Sequence, residues 1–142
     1  MKKKILIGYT TGVFDLFHVG HVRILKKSKS LCDKLIVGVS SDKLVKKYKN
    51  KYPVISQKER IEVVKSNKYV DYVVSQNTLN KFISWKKLKY DIMFVGDDWY
   101  DTKKWKELDR KFKQVGVRIV YLPYTKGTSS TKINNILNKF RK

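Results

Sequence analysis

The feature that most constrains this chain is a regular alternation of short apolar runs with segments whose apolar residues recur at helical spacing. Strands are predicted at 5–9, 35–39, 72–74, 92–95 and 117–122. Helices are predicted at 19–30, 42–47, 79–88, 102–115 and 130–140, with another beginning at the capping-box pattern Ser56-x-x-Glu59. Strands that alternate with helices form a parallel sheet covered by helices on both faces, so we expect an α/β fold.

The length and composition narrow the class of protein. We expect residues 1–142 to form one domain, because 142 residues suffice for a single core. The sequence contains no apolar run of about 18 residues, so no membrane-spanning helix is predicted. The charged start is followed by only three apolar residues before Gly8, too few for a signal peptide, and we expect a cytoplasmic protein. Cys32 is the only cysteine, which excludes an internal disulfide and a cysteine-rich metal site.

The net charge of +21 favours an anionic partner, which can be nucleic acid, a membrane surface or a phosphorylated small molecule. The alternative is a general bias toward lysine, since the lysines are scattered over the whole chain and exposed lysine is common on helices. No base-reading motif and no aromatic RNA-binding motif is present, so no specific nucleic-acid partner is expected.

Parallel sheets bind ligands beyond the carboxyl ends of their strands, where the N-termini of helices point. This rule selects residues 9–21, 40–53, 96–101 and 123–131. The first of these segments contains both histidines of the chain, His18 and His21, which lie three residues apart and project from one face of a first helical turn. Thr11 and Gly12 begin a turn whose N–H groups can hold a phosphate, and Gly20 allows an anion to approach the backbone.

Two other interpretations of this histidine pair stay open. It can bind zinc, although no third histidine or cysteine lies at ligand spacing. It can also consist of two unrelated core or surface histidines. Asp15 is expected to fix the turn rather than to act as a base.

The segment Thr10-Thr11-Gly12-Val13-Phe14-Asp15-Leu16-Phe17-His18-Val19-Gly20-His21 resembles the His-x-Gly-His signature of the cytidylyltransferase branch of the nucleotidyltransferase superfamily. Three further segments follow the family in order, and the resemblance extends over nearly the whole chain. They are Pro53 to Arg60 with Tyr69-Val70-Asp71, Gly96-Asp97-Asp98-Trp99, and the loop Tyr124-Thr125-Lys126-Gly127-Thr128-Ser129-Ser130-Thr131. Of these, Gly96-Asp97-Asp98-Trp99 is similar to the acceptor-side loop of the glycerol-3-phosphate cytidylyltransferases.

This resemblance implies a Rossmann-like sheet of five parallel strands, a homodimer, and transfer of CMP from CTP to a phosphorylated alcohol. The most similar branch implies glycerol 3-phosphate as the acceptor, with CDP-glycerol and pyrophosphate as products. The acceptor phosphate attacks the α-phosphorus in line, and positioned donors stabilise the charge that develops. Mg²⁺ bound with CTP neutralises the leaving pyrophosphate. There are three alternatives to this function. The acceptor can be phosphocholine, phosphoethanolamine or a sugar phosphate; the nucleotide can be ATP; or the chain can be a nucleic-acid-binding protein.

The resemblance also implies the residues of the site. His18, His21 and Lys51 are the expected catalytic residues, and no protein side chain is assigned to a metal. Nucleotide binding is assigned to Thr11, Gly12, Val13, Phe14, Gly20 and the whole loop from Tyr124 to Thr131, together with the catalytic residues. Acceptor binding is assigned to Lys49, Arg60, Lys81, Asp97, Asp98 and Trp99.

Several of these assignments have alternatives. Lys46 or Lys47 can take the role of Lys49 or Lys51, because the loop before Arg60 is one residue longer than usual in that branch. Arg60 either binds substrate or fixes its own helix. Three substitutions depart from the family: Tyr124 replaces an arginine, Lys126 replaces a residue that is often acidic, and Lys68 replaces an arginine that often precedes Tyr-Val-Asp.

Overall fold

A computed structural model describes residues 3–97, 100, 102–123 and 130–140, with side chains in the last segment from 133 to 139. The elements in this described part are β1 (Ile7–Gly12), α1 (Val19–Ser30), β2 (Lys34–Ser40), α2 (Asp42–Lys49), α3 (Gln57–Lys65), β3 (Tyr72–Gln76), α4 (Lys81–Leu88), β4 (Ile92–Gly96), α5 (Lys103–Gln114), β5 (Arg118–Leu122) and α6 (Ser130–Phe140). None of the helices described is both long enough and apolar enough to cross a bilayer.

The strands form one parallel sheet in the order β3-β2-β1-β4-β5. The chain therefore adds β2 and β3 on one side of β1 and then crosses over to add β4 and β5 on the other side. Crossovers of this kind leave a crevice at the carboxyl ends of the strands, where the strand order reverses. The predicted α/β, Rossmann-like sheet of five strands is confirmed.

Each face of the sheet carries its own apolar layer. On one face, Leu25 of α1 and Val64 of α3 are fully buried against Val37 of β2. On the other face, Trp105 and Phe112 of α5 pack around Tyr9 of β1. This arrangement follows from the alternation of side chains along a strand, since Ile36 faces the second layer while Val37 faces the first. Helices therefore cover both faces, as the sequence predicts.

The first strand begins later than predicted. Residues 5 and 6 were expected within it, but β1 starts at Ile7, and the Ile5 side chain is 59% exposed. The reason is the register, since Ile7 pairs with Lys34, the first residue of β2. The strand instead continues through Thr10, whose hydroxyl donates to the Phe94 carbonyl of β4 at 3.1 Å.

Candidate active site

A cleft lies at the carboxyl ends of the strands, on the edge of the sheet that the sequence predicts to bind ligand. Its volume of about 1540 Å³ exceeds the roughly 300–1,000 Å³ of a pocket for one drug-sized ligand. Its walls include many residues of the predicted site: Thr11, Gly12, Val13, Phe14, His21, Lys49 and Lys81. The cleft therefore has room for two substrates side by side.

His18 and His21 hold each other and the start of α1 in place. Nδ1 of His18 accepts the backbone N–H of Gly20 at 3.0 Å, and Nδ1 of His21 accepts the backbone N–H of His18 at 3.1 Å. The two rings lie 3.9 Å apart between centroids. His18 is thus the N-cap of α1, and the pair forms a reciprocal capping box with histidine in both positions.

This geometry fixes the protonation of both rings. Burial lowers the pKa of His21 to about 3, with the neighbouring His18 adding to the shift, and burial also lowers the pKa of His18. Both rings are therefore neutral near pH 7. Because each Nδ1 accepts a backbone N–H, the proton of each neutral ring is on Nε2. The pair presents two Nε2–H donors, which suit the oxygens of a phosphate.

The turn between β1 and α1 adopts a conformation that is unusual for its residues. Phe14 and Leu16 have φ angles of 55° and 49°, in the left-handed region that bulky side chains rarely occupy. Such backbone persists only where surrounding contacts enforce it, and it is concentrated at functional sites. Phe14 is buried and packs against the His21 ring at 5.3 Å between centroids. The shape of the turn therefore positions His21.

Two polar side chains hold this turn against the segment that precedes α3. Asp15 accepts the backbone N–H groups of Val54 and Ile55 at 2.7 and 2.9 Å. In the opposite direction, Arg60 donates to the Val13 carbonyl at 2.6 Å and to the Ile55 carbonyl at 2.8 Å. These contacts connect the histidine turn to the loop that carries Lys51, and they fit the expectation that Asp15 fixes the turn.

Arg60 is buried, with 1% of its side chain exposed. It also donates to the Ser40 carbonyl at 2.8 Å and forms an ion pair with Asp42 at 2.5 Å. A guanidinium occupied in this way joins the end of β2, the start of α2 and the histidine turn. Of the two roles that the sequence leaves open for Arg60, these contacts favour the one that fixes its helix over substrate binding.

Lys81 extends into the floor of the cleft. Its ammonium donates to Thr11 Oγ1 at 2.7 Å and to Gln76 Oε1 at 2.5 Å, so it lies between the ends of β1 and β3. Burial lowers the pKa of Lys81 to about 7, and the charge of Lys104 adds to the shift. A lysine held here gains a full charge when an anion enters, which suits the acceptor phosphate that was assigned to it.

The other assigned residues lie at the rim or outside the described part of the chain. Lys49 lines the cleft, and burial with the nearby charge of Lys51 lowers its pKa, against the opposing effect of Asp15. Lys51 and Asp97 are exposed. Asp98, Trp99 and the loop 124–129 lie outside the described residues, and for Ser130 and Thr131 only the helical backbone of α6 is described.

The sequence rule omitted one segment that the cleft uses. Residues 76–81 extend from the last residue of β3 to the first residue of α4 and all line the cleft, although they are not among the four segments selected. Gln76 is buried, and its amide donates to Ser40 Oγ at 2.8 Å while its oxygen accepts from Lys81. The same rule for strand ends predicts this segment if it is applied to β3 as well.

The strand order, the cleft at its reversal point and the paired histidines define a nucleotidyltransferase. The chain belongs to the cytidylyltransferase-like family, whose model matches residues 9–136. This result confirms the superfamily that the sequence motifs indicate.

Three individual proteins show which relatives this chain is similar to. The chain is 39% identical over 140 residues to a protein named FAD synthase from Thermococcus sibiricus, and the match covers 97% of this chain and 93% of that protein. It is 45% identical over 100 residues to the bifunctional protein HldE of Helicobacter pylori, covering 68% of this chain and 21% of that protein. The crystal structure of a lipopolysaccharide core biosynthesis protein from Thermoplasma volcanium is similar with a TM-score of 0.71 and 28% identity, covering 88% of this chain and all of that one. These three relatives give no support to the narrower expectation of a glycerol-3-phosphate cytidylyltransferase.

Proposed function

We propose that this protein transfers the AMP portion of ATP to the phosphate of FMN, forming FAD and pyrophosphate. The observation that carries the proposal is the similarity to a FAD synthase over almost the full length of both chains. FAD consists of FMN and AMP joined through their phosphates, so its synthesis from ATP is a nucleotidyl transfer. The proposal therefore keeps the reaction class expected from the sequence and replaces both substrates.

The reaction balances as one in-line displacement. A phosphate oxygen of FMN forms a bond to the α-phosphorus of ATP, and the bond from that phosphorus to the pyrophosphate oxygen breaks. The attacking phosphate is already anionic, so the protein needs to supply positioning and charge stabilisation rather than a strong base. A cleft with room for two substrates and donors at its rim suits that requirement.

In this proposal the Nε2–H groups of His18 and His21 donate to oxygens of the α-phosphate, where negative charge increases in the transition state. The backbone of Val13 and Phe14 holds the nucleotide beside them. Lys51 stays assigned to the triphosphate, and Lys49 and Lys81 to the phosphate of the acceptor. None of these assignments requires either histidine to change its protonation.

Mg²⁺ supplies charge neutralisation on the triphosphate when it is bound. Within the described part of the chain, no three His, Cys, Asp or Glu side chains come together as a metal site. We therefore assign the ion to the substrate phosphates and water, which is its usual coordination in nucleotide sites. The homodimer stays a prediction, which sedimentation equilibrium tests directly.

A second candidate is CMP transfer from CTP to glycerol 3-phosphate, which the segment Gly96-Asp97-Asp98-Trp99 favours. Pyrophosphate release distinguishes the two when ATP and CTP are each paired with FMN, glycerol 3-phosphate, phosphocholine, phosphoethanolamine and a sugar phosphate. We expect ATP with FMN to give a kcat/KM at least tenfold above every other pair. A preference for CTP with glycerol 3-phosphate would establish the second candidate, and no release with any pair would reject both.

A further inference from the structure

Tyr48 occupies an unusual place on α2. Leu44 and Val45 of that helix are buried against the core, with 8% and 2% of each residue exposed. Tyr48 is four and three residues further along, so it lies on the same inward face of the helix. It nevertheless remains 40% exposed, because this end of the face opens into the cleft. The helix therefore presents an aromatic ring to the cleft rather than to the core or to bulk water.

The phenol end of this ring lies close to the floor of the cleft. Burial raises the pKa of the Tyr48 hydroxyl, and the neighbouring Ser40 hydroxyl opposes the shift. Ser40 Oγ in turn accepts from Gln76, and Gln76 accepts from the ammonium of Lys81. Ser40 and Gln76 are both buried, so this chain of contacts is part of the cleft floor. Tyr48 and Lys81 stand at its two ends.

The two ends offer different chemistry. Lys81 provides a cation for a phosphate, and Tyr48 provides a flat ring on which another flat ring can stack. The Lys49 ammonium lies 5.9 Å from the centroid of the Tyr48 ring, at the limit of a cation–π contact, so an entering ring displaces little. A ligand that uses both ends carries a phosphate and a planar ring separated by a linker.

We propose that Tyr48 is a specificity-determining residue that stacks against the planar ring of the phosphorylated acceptor, with the acceptor phosphate at Lys81. This inference rests on the proposed function, because FMN has a flat heterocycle joined to its phosphate through a polyol chain. Glycerol 3-phosphate has no ring and leaves Tyr48 unused. Tyr48 therefore selects for a ring-bearing acceptor.

Steady-state kinetics on three variants test this role. Tyr48→Leu keeps an apolar side chain but removes the ring, Tyr48→Phe keeps the ring, and Tyr52→Leu removes a tyrosine that is 65% exposed and does not line the cleft. We expect Tyr48→Leu to raise the KM for FMN about tenfold, the loss typical of one stacking contact, while the KM for ATP stays within about twofold. Tyr48→Phe and Tyr52→Leu should resemble the wild type.

Quenching of FMN fluorescence gives a readout that needs no turnover, and thermal denaturation shows whether each variant is folded. If the wild type binds FMN and Tyr48→Leu binds it more weakly, the inference is supported, even if no FAD forms. A lack of FAD formation alone rejects only the proposed function. An unchanged KM for FMN in Tyr48→Leu overturns the inference while FAD synthesis stands. A raised KM for ATP alone assigns the ring to adenine and overturns it, as does a wild type that binds no FMN.

Discussion

His18 carries two tasks on two different nitrogen atoms, and a substitution can separate them. Nδ1 caps α1 by accepting the Gly20 N–H, whereas Nε2–H is the donor assigned to phosphate. Asparagine is a good N-cap and places an acceptor at the δ position, but it has no donor at the ε position. The cap and the donor can therefore be tested one at a time.

We expect His18→Asn to lower kcat by roughly 10²–10³, as for loss of one donor to a transition state, while the free energy of unfolding changes by less than about 0.5 kcal/mol. His18→Ala should lose both the activity and about 1 kcal/mol of stability. Pyrophosphate release and urea denaturation measure the two effects. An active His18→Asn variant would show that the ring acts only as a helix cap.

Lys81 gives the reaction a dependence on pH. Its pKa is lowered to about 7 in the empty cleft, so the ammonium is charged below this pH and loses its proton as the pH rises through it. A phosphate monoester, with a second pKa near 6, keeps its charge across the same range. The KM for the acceptor should therefore rise roughly three- to tenfold between pH 7 and 9.

Arginine stays charged at any pH in this range, so Lys81→Arg should flatten the profile. Lys43→Arg changes an exposed lysine that also lines the cleft but has no assigned role; it is the matched control and should leave the rise in place. The KM of each variant for the acceptor at pH 6, 7, 8 and 9 decides the matter. An unchanged slope in Lys81→Arg would assign the titration to another group.

At the scale of elements, Arg60 determines how three segments meet. Its guanidinium donates to the carbonyls of Val13, Ser40 and Ile55 and forms an ion pair with Asp42. Only 1% of the Arg60 side chain is exposed. Asp42 is 41% exposed and is solvated when the arginine is removed, so the loss falls mainly on the carbonyls, above all that of buried Ser40. Leaving a buried acceptor without its donor typically costs about 1–3 kcal/mol.

We therefore expect Arg60→Met to lower the free energy of unfolding by about 1–3 kcal/mol, measured by urea denaturation. Lys58→Met removes an exposed lysine from the same helix and should stay within about 0.5 kcal/mol of the wild type. If Arg60→Met keeps its stability and raises only the KM for the acceptor, the arginine binds substrate instead.

Most of these elements could be predicted because their signals are local. The apolar runs of β2 and β4 and the helical spacing of α1 need no tertiary information, and the structure confirms them. The histidine turn was harder to predict. The sequence favours a capping box at Ser56 and Glu59, but Ser56 makes no side-chain cap contact, and the box is formed by His18 and His21.

The reason lies in contacts between distant parts of the chain. The left-handed backbone of Phe14 and Leu16 carries no glycine signal, and it is held by Arg60 and Asp15 through residues some 40 positions away. Local propensity cannot reveal such a conformation. The residues of the site were therefore found by their match to a motif, whereas the roles of Nδ1 and Nε2 required the structure.

At the scale of the whole molecule, the excess of 21 positive charges acts through a long-range electrostatic field rather than through individual ion pairs. Several carboxylates are already engaged with cations, among them Asp42 with Arg60, Asp71 with Lys29 and Asp91 with Lys4. The excess charge therefore remains available to attract anions. A cleft lined by one sign of charge concentrates this field and raises the rate at which charged substrates arrive.

Position relative to the sheet predicts which lysines matter for this attraction. Helices that connect parallel strands run antiparallel to them, so a helix begins near the cleft and ends at the opposite edge. Lys104 lies in the first turn of α5 and lines the cleft, as this rule predicts, whereas Lys65 ends α3 on the far side. Lys111 is an exception to the rule, because it lies in the last turn of α5 and still lines the cleft. Charge at Lys104 and Lys111 should act on substrates, and charge at Lys65 should not.

We therefore expect kcat/KM for the anionic substrates to fall several-fold as salt rises from about 50 to 200 mM, because the Debye length shortens to below 10 Å in that range, while kcat stays nearly constant. Lys104→Gln combined with Lys111→Gln should lower kcat/KM at low salt and reduce this dependence. Lys65→Gln, which removes one charge at the far edge, should leave both unchanged. Stopped-flow binding and steady-state kinetics at four salt concentrations measure the slopes. Equal slopes in all the variants would mean that the charge acts through its total amount, as expected for a general lysine bias, and not through its placement at the cleft.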